Sequence, residues 1–189
     1  MIKDYGPINQ NGTDNIILTP DSEWLFATGK EGQLKQYSLR SQKLIHDYGN
    51  IHGKEIGKLQ ITKDSKWLIT SVDNNVYRIS VKNRRVDKDF GQVFDNRGIT
   101  AMKLTVDSKK LIVGDHSGFM KLISAKDGEL IKDFGQAHKE MITDIVITVD
   151  HKYFFTSSID GSLKQWNYKN NTLYKDHANL IRDGICHLC

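Results

Sequence analysis

A repeat of about 43 residues runs through the 189-residue sequence and limits the folds open to it. Its first landmark is a four-residue motif that consists of Lys or His, then Asp, then an aromatic residue, then Gly. The motif occurs at residues 3–6, 46–49, 88–91 and 132–135, and its first two residues occur again from residue 175. A second landmark, spaced by 43 residues, comprises Asp21, Asp64, Asp107 and Asp150. A third, residues 32–37, returns at 161–166. A shared period predicts stacked units. The repeats lie at approximately 3–45, 46–87, 88–131 and 132–174, and a fifth starts at 175–189.

The signals inside each repeat are those of short strands. In the fourth repeat, residues 142–148 are rich in β-branched side chains, and runs at 153–158, 162–167 and 172–175 follow after polar turns. Asp160-Gly161 is typical of a tight hairpin. The run 153–155 is continuously apolar, as in sheets covered on both faces. We therefore predict an all-β fold with four strands in each repeat.

Composition narrows the class of protein further. Hydrophobic residues make up 38% and charged residues 26%, which is typical of a globular chain. The net charge of +4 comes from 27 basic and 23 acidic residues that are interspersed, so we expect no specific nucleic-acid binding. The sequence has no apolar stretch of about 20 residues, so we expect no membrane span. The two cysteines, Cys186 and Cys189, provide no disulfide framework. We expect a cytoplasmic protein.

The residues 138–167 resemble one blade of the WD40 repeat family. Ala137-His138 stands at the family's Gly-His pair, and Trp166-Asn167 stands at its Trp-Asp pair. The other three repeats are degenerate at the tryptophan position, which holds Tyr37, Ile79 and Ile123, and at the histidine position, which holds Asn9, His52 and Asp95. The resemblance implies a WD40-type β-propeller domain over residues 1–189. Its four consecutive four-stranded antiparallel blades would form an open arc or partial ring.

Serine, histidine and aspartate occur together in the fourth repeat, as they do in hydrolase triads. The resemblance implies another role for them, a buried hydrogen-bonded tetrad of His138, Ser158, Asp160 and Trp166 that joins the loop entering the blade to its middle strands. Polar groups inside stacked sheets are tolerated when they satisfy one another. A Gly-x-Ser-x-Gly elbow is absent from the sequence. We therefore expect no enzyme activity, no catalytic residue and no cofactor.

Two other patterns have competing interpretations. Cys186-His187-Leu188-Cys189 resembles half of a zinc site, but a tetrahedral site needs four ligands, and the register favours the opening strand of a fifth blade. The basic residues Lys35, Arg78, Lys121 and Lys164 recur at or next to one position of the third strand. They would either attract acidic partners or, as we favour, protect exposed strands against edge pairing.

WD40 proteins commonly bind partners through the loops before the innermost strand and between the second and third strands. By register, the candidate partner-binding face consists of Gln10, Lys30, Glu55, Asn96, His116, Lys139, Met141 and Ile159. We expect a non-catalytic scaffold that binds proteins or peptides. The alternatives are a ligand-sensing or catalytic propeller that uses a central channel, and a regulatory segment of a larger multidomain protein.

The array is expected to begin with an isolated outer strand at residues 2–5 and to end within an innermost strand at 185–189. Four complete blades lie between them. Blade faces left open at the two ends would be apolar, so we expect either self-association or further blades supplied by a longer chain.

Overall fold

The computed structural model describes residues 12–95 and 97–177, which form sixteen strands. Unit 1 contains β1 (Thr13–Leu18), β2 (Trp24–Gly29), β3 (Gln33–Ser38), β4 (Lys43–Asn50), β5 (Lys58–Ile61), β6 (Trp67–Val72), β7 (Asn75–Ser80) and β8 (Arg85–Gln92). Unit 2 contains β9 (Ile99–Leu104), β10 (Lys110–Asp115), β11 (Phe119–Ser124), β12 (Leu130–Gln136), β13 (Ile142–Ile147), β14 (Tyr153–Ser158), β15 (Leu163–Asn167) and β16 (Thr172–His177). The described ranges contain no helix of the length and apolarity that crossing a membrane requires.

The strands form four antiparallel sheets, and each sheet takes four consecutive strands in sequence order. We call these sheets blades 1 to 4. The expected all-β fold with four four-stranded blades is therefore confirmed. The strands expected at residues 2–5 and 185–189 lie outside the described residues. The first sequence landmark falls within the fourth strand of each blade, so the sequence repeat begins inside one sheet and ends inside the next.

A side-chain turn between the first and second strands explains the aspartate series. In blade 4, Thr148 Oγ1 donates to Asp150 Oδ1 over 2.7 Å and accepts a hydrogen bond from the Tyr153 amide over 3.1 Å. Asp150 Oδ1 also accepts from the Lys152 amide, while His151 has a φ of 54°. The same contacts recur in the other blades at Thr19/Asp21, Thr62/Asp64 and Thr105/Asp107. The same turn therefore joins the first and second strands of every blade.

The Asp-aromatic-Gly landmark shapes the outermost strand. Asp133 Oδ1 accepts a hydrogen bond from the Gly135 amide over 2.7 Å, and Gly135 has a φ of 65°. Equivalent contacts join Asp47 to Gly49 and Asp89 to Gly91. The aromatic residue between them packs inward, since the Phe134 ring lies edge-on to Trp166 with centroids 5.3 Å apart. The motif therefore bends the strand and contributes to the core.

Unit 1 comprises residues 1–92 and has its own core between blades 1 and 2. Phe26 and Leu34 of blade 1 pack in one cluster with Leu59, Leu68 and Ile79 of blade 2. All five side chains are buried. The continuous apolar runs of the second strands therefore do face neighbouring sheets, as the sequence predicts.

Unit 2 comprises residues 93–189 and repeats this arrangement between blades 3 and 4. Ile112 and Met120 of blade 3 share a buried cluster with Ile145 and Phe154 of blade 4. Gly114 permits the close approach, because a Cβ atom there would lie 2.9 Å from Cβ of Ile142. Only a residue without a side chain fits at that point unless Ile142 shifts.

Candidate partner-binding loop face

A chain of hydrogen bonds crosses the interior of blade 4 at its loop end. Trp166 Nε1 donates to Thr156 Oγ1 over 2.9 Å, and Thr156 Oγ1 lies 2.7 Å from His138 Nε2. His138 Nδ1 lies 2.8 Å from Ser162 Oγ, which donates to Asp160 Oδ1 over 2.6 Å. His138, Thr156, Ser162 and Trp166 are all buried. The chain therefore joins the entering loop to β14, β15 and the hairpin between them.

One assignment of protons satisfies every group in this chain. Because the Ser162 hydroxyl donates to Asp160, its oxygen accepts from His138 Nδ1. His138 Nε2 is then the acceptor of a neutral imidazole and receives the Thr156 proton. The Thr156 oxygen in turn accepts from the indole of Trp166. All the hydrogen bonds run in a consistent sense, so the histidine is neutral and both of its nitrogens are occupied.

The predicted tetrad needs one correction, because Ser158 is not part of this chain. The Ser158 hydroxyl donates to the carbonyl of Glu140 over 3.1 Å and accepts from the Asp160 amide. Thr156 takes its place beside His138. Residues two apart on a strand share a face, so residue type alone did not distinguish Thr156 from Ser158. Ser162 was missed, although its position after Asp160-Gly161 was visible in the sequence.

The protonation of the two ionisable members follows from their surroundings. Burial lowers the pKa of His138 to about 4. For Asp160, burial alone would raise the pKa, but hydrogen bonds from the Ser162 side chain and from the amides of Ser162 and Lys139 outweigh it and lower the pKa to about 2. The pair is therefore a neutral imidazole and a carboxylate whose oxygens are already engaged. This arrangement leaves the histidine without contact to Ser158, and it favours the structural interpretation over a hydrolase triad.

Blade 2 keeps half of this network. His52 Nε2 lies 3.0 Å from Thr70 Oγ1, and the centroids of the His52 and Tyr77 rings are 4.4 Å apart. Burial lowers the pKa of His52 to about 4. The tryptophan position holds Ile79, which has no polar hydrogen to donate. The histidine–threonine contact therefore persists without the indole.

Blade 3 replaces the network with an ion pair that the repeat pattern does not predict. Asp115 occupies the register position of Ser158 and is fully buried, and its Oδ1 accepts from the amides of Ser117 and Phe119. Arg97 Nη1 lies 4.0 Å from Asp115 Oδ2. The Arg97 guanidinium carbon lies 4.2 Å from the centroid of the Phe119 ring. A carboxylate, a cation and an aromatic ring thus connect the entering loop to the hairpin.

The predicted contact residues of blade 4 lie on two loops that are bonded to each other. The Lys139 amide donates to Asp160 Oδ2 over 2.8 Å, and the Ile159 amide donates to the Met141 carbonyl over 3.2 Å. Lys139 is exposed, Ile159 is 40% exposed and Met141 is half-buried. A cation and two apolar side chains are therefore presented by a fixed pair of loops.

The hairpin between β10 and β11 of blade 3 contacts the loop that enters blade 4. The His138 amide donates to the Gly118 carbonyl over 3.0 Å, and a Cβ atom on Gly118 would lie 2.1 Å from the His138 carbonyl oxygen. His116, on this hairpin, is exposed. We name His116, Lys139, Met141 and Ile159 the unit 2 loop face.

In unit 1, the predicted contact residues Lys30 and Glu55 are exposed. The blade 1 hairpin again touches the loop of the next blade, because a Cβ atom on Gly32 would lie 2.0 Å from the Lys54 carbonyl oxygen. Lys54 Nζ lies 2.7 Å from Asp73 Oδ2. The remaining predicted contact residues, Gln10 and Asn96, lie outside the described residues.

The repeated cations of the third strands pair with aspartates of the fourth. Lys35 lies 3.7 Å from Asp47, Lys121 lies 4.0 Å from Asp133 and Lys164 lies 3.2 Å from Asp176. Arg78 pairs with Asp87 and its guanidinium lies over Trp67. Since each charge has a partner on its own sheet, the structure favours a role within the blade over attraction of acidic partners.

Metal binding has no support within residues 12–95 and 97–177, where no group of three or more His, Cys, Asp or Glu side chains is arranged around a common point. The zinc-like residues Cys186, His187 and Cys189 lie outside these ranges.

The repeated four-stranded sheets and the network of blade 4 define a protein built of propeller blades. Comparison with known proteins agrees with this class. The WD40 family model, described as WD domain, G-beta repeat, matches residues 128–167. The chain is also 29% identical over 115 residues to the uncharacterized WD repeat-containing protein L344 of Acanthamoeba polyphaga mimivirus. That match covers 60% of this chain and 20% of the relative, so the chain spans about a fifth of the relative's length. The resemblance to WD40 repeat proteins is confirmed.

Proposed function

We propose that the chain is a non-catalytic scaffold and that its unit 2 loop face binds a protein or peptide partner. The observation that carries the proposal is the bonding between the two loops that hold this face. Lys139 bonds through its amide to Asp160, and Ile159 bonds through its amide to Met141. Loops held on a rigid scaffold are frequent binding sites, because little conformational entropy is lost when a partner docks.

The side chains of the face suit a peptide better than a small molecule. Lys139 and His116 supply hydrogen-bond donors at the surface, while Ile159 and Met141 supply apolar contact area. Protein interfaces combine apolar groups with a polar rim in this way. The serine, histidine and aspartate residues that resemble a hydrolase triad form hydrogen bonds inside the blade. Both ring nitrogens of His138 already have partners there. WD40 repeats generally mediate protein–protein interaction, which also favours binding over catalysis.

The experiment is a screen of the 189-residue chain against a displayed library of random dodecapeptides, followed by fluorescence polarisation with the enriched peptides. Two variants test the face, Lys139→Glu and Ile159→Ser. We expect each to weaken binding by about tenfold, in keeping with the loss of one central interface contact. Whether Lys139→Glu binds a selected peptide more weakly or more tightly than the parent chain would also report the charge of that peptide.

Val149→Ser is the matched control. Val149 is 97% exposed and follows β13 at the end of the blade opposite the loop face. The Val149→Ser variant should bind every selected peptide with the affinity of the parent chain. The proposal is wrong if the selected peptides bind Lys139→Glu and Ile159→Ser with unchanged affinity, or if Val149→Ser alone weakens them.

A further inference from the structure

The guanidinium of Arg97 is held in place without the use of its hydrogen-bond donors. Its carbon lies 4.2 Å from the centroid of the Phe119 ring, and its Nη1 lies 4.0 Å from Oδ2 of the buried Asp115. That separation is too long for a hydrogen bond, and in the part of the chain that the structure describes neither Asp115 Oδ2 nor the Arg97 guanidinium has a hydrogen-bond partner. Ring stacking and charge attraction therefore fix the cation, and its N–H groups remain available to another acceptor.

Arg97 lies on the same surface as the unit 2 loop face. It immediately precedes Gly98, whose carbonyl accepts a hydrogen bond from the His116 amide over 3.1 Å. The same hairpin bonds through Gly118 to the loop that carries Lys139. The Arg97 side chain is 41% exposed, and Lys139 is exposed as well. The hairpin between β10 and β11 therefore lies between two loops that each present an accessible cation.

The exposed carboxylates of these loops do not neutralise the two cations. Asp95 and Glu140 are exposed on the entering loops, and among the described residues neither lies within ion-pair distance of Arg97 or Lys139. Both oxygens of Asp160 already accept hydrogen bonds, one of them from the backbone amide of Lys139. A partner that docks on the loop face would therefore meet two cations whose side-chain donors are not engaged.

We propose that Arg97 binds an aspartate or glutamate side chain of the partner, so that the unit 2 loop face selects acidic peptides. The inference rests on the proposed function, because Arg97 extends the surface formed by the same loops. A guanidinium presents parallel N–H groups that match the two oxygens of a carboxylate, and a guanidinium that is already fixed loses little entropy when it binds one. The nearby charges of Asp95 and Asp115 oppose a doubly charged phosphate group more strongly than a carboxylate.

The test compares peptides that differ in a single carboxylate. A dodecapeptide selected on the 189-residue chain is synthesised as selected, and again with each Glu changed to Gln or each Asp to Asn in turn. Fluorescence polarisation gives the ratio of the two affinities. Within one protein variant this ratio does not depend on how much of the protein is folded. On the parent chain we expect one replacement to weaken binding by about tenfold, as the loss of a central charge-assisted contact does.

Three protein variants assign the contact to Arg97. Arg97→Gln should bring the ratio to about one, because the carboxylate and the carboxamide then meet the same neutral group. Arg97→Lys keeps the charge but loses the planar fork, so its ratio should fall between these values. Lys109→Gln is the matched control. It removes one exposed lysine from the turn between β9 and β10, at the opposite end of blade 3, and should keep the ratio of the parent chain.

The proposal is overturned if the selected peptides contain no Asp or Glu, if Arg97→Gln keeps the ratio of the parent chain, or if Lys109→Gln abolishes it. Ile159→Ser then distinguishes the two levels of the argument. If that variant still weakens the selected peptides, the loop face binds peptides and only the carboxylate contact is wrong. If it does not weaken them, the proposed function itself is contradicted.

Discussion

Thr156 Oγ1 lies 2.7 Å from His138 Nε2, and this contact ties the second strand of blade 4 to the loop that enters the blade. The same oxygen receives the indole hydrogen of Trp166. One hydroxyl therefore satisfies two buried polar groups.

Replacement of Thr156 by Val tests this network. The change keeps the shape of the side chain but leaves His138 Nε2 and Trp166 Nε1 without their partner. We expect the free energy of unfolding to fall by about 2–4 kcal/mol, since each buried unsatisfied group costs about 1–3 kcal/mol. Urea titration followed by circular dichroism measures the loss. Ser158→Ala is the control and should cost less, because its hydroxyl lies outside the chain of bonds to His138. Equal losses would contradict the corrected network.

Two histidines, the buried His138 and the half-buried His52, predict a weakening of the fold in mild acid. Burial lowers the pKa of His52 and of His138 to about 4, whereas an unfolded histidine titrates near 6.5. Between these values the unfolded chain binds more protons than the folded chain, so stability falls as the pH drops from 6.5 towards 4. The Asp160 contribution lies below this window, since its folded pKa is about 2 and an unfolded aspartate titrates near 3.9.

Unfolding free energies measured between pH 4 and pH 8 check this dependence. The slope of each histidine approaches about 1.4 kcal/mol per pH unit at most. His52→Gln should reduce the slope, because it removes one of the two histidines whose pKa is lowered in the folded chain. A parent chain whose stability does not change between pH 6.5 and pH 4 would rule out buried neutral histidines.

Gly114 should be intolerant of even a methyl group. A Cβ atom there would lie 2.9 Å from Cβ of Ile142, so Gly114→Ala forces apart the two blades of unit 2. We expect a loss of about 1–3 kcal/mol, as in other overpacked cores. Gly98→Ala is the matched control, because a Cβ atom there meets nothing within 4 Å. Thermal unfolding of both variants separates this contact from a general effect of alanine. An equal loss in Gly114→Ala and Gly98→Ala would contradict the close approach of Gly114 to Ile142.

The ion pair of blade 3 should be worth more than an exposed pair. Arg97→Ala leaves the fully buried Asp115 carboxylate without its neighbouring cation and removes the contact with Phe119. Because Arg97 itself is half-exposed and water weakens the attraction, we expect a loss of about 1–3 kcal/mol. A double-mutant cycle with Asp115→Asn measures the coupling. Lys54→Ala, which breaks the exposed pair with Asp73, should cost less than Arg97→Ala, because water screens this pair. A coupling of zero would show that Arg97 and Asp115 act independently.

The period of the sequence was sufficient to predict the strands, because turn chemistry and β-branched runs are local signals. The boundaries expected for the second strand of blade 4 agree with β14, Tyr153–Ser158. The pairing of Lys164 with Asp176 was also predictable in principle, since both residues recur with the repeat.

Contacts that depend on side-chain reach were harder to predict. Ser158 and Thr156 share one face of a strand, and only the position of the His138 ring selects between them. Arg97 and Asp115 are far enough apart in sequence that no spacing rule connects them. The partner-binding function of the loop face stays a prediction, because the identity of exposed residues on loops is not constrained by packing.

The threonine–aspartate turn has a consequence for how such repeats diverge. All four blades build it, yet only one of them retains both the histidine and the tryptophan that mark the family. The turn closes each first hairpin through contacts within six residues, so it does not depend on what the neighbouring blade preserves. Substitution can therefore erase the hallmark residues of one repeat while its backbone persists. The turn, rather than the tryptophan and the histidine, is the feature that all four blades of this chain share.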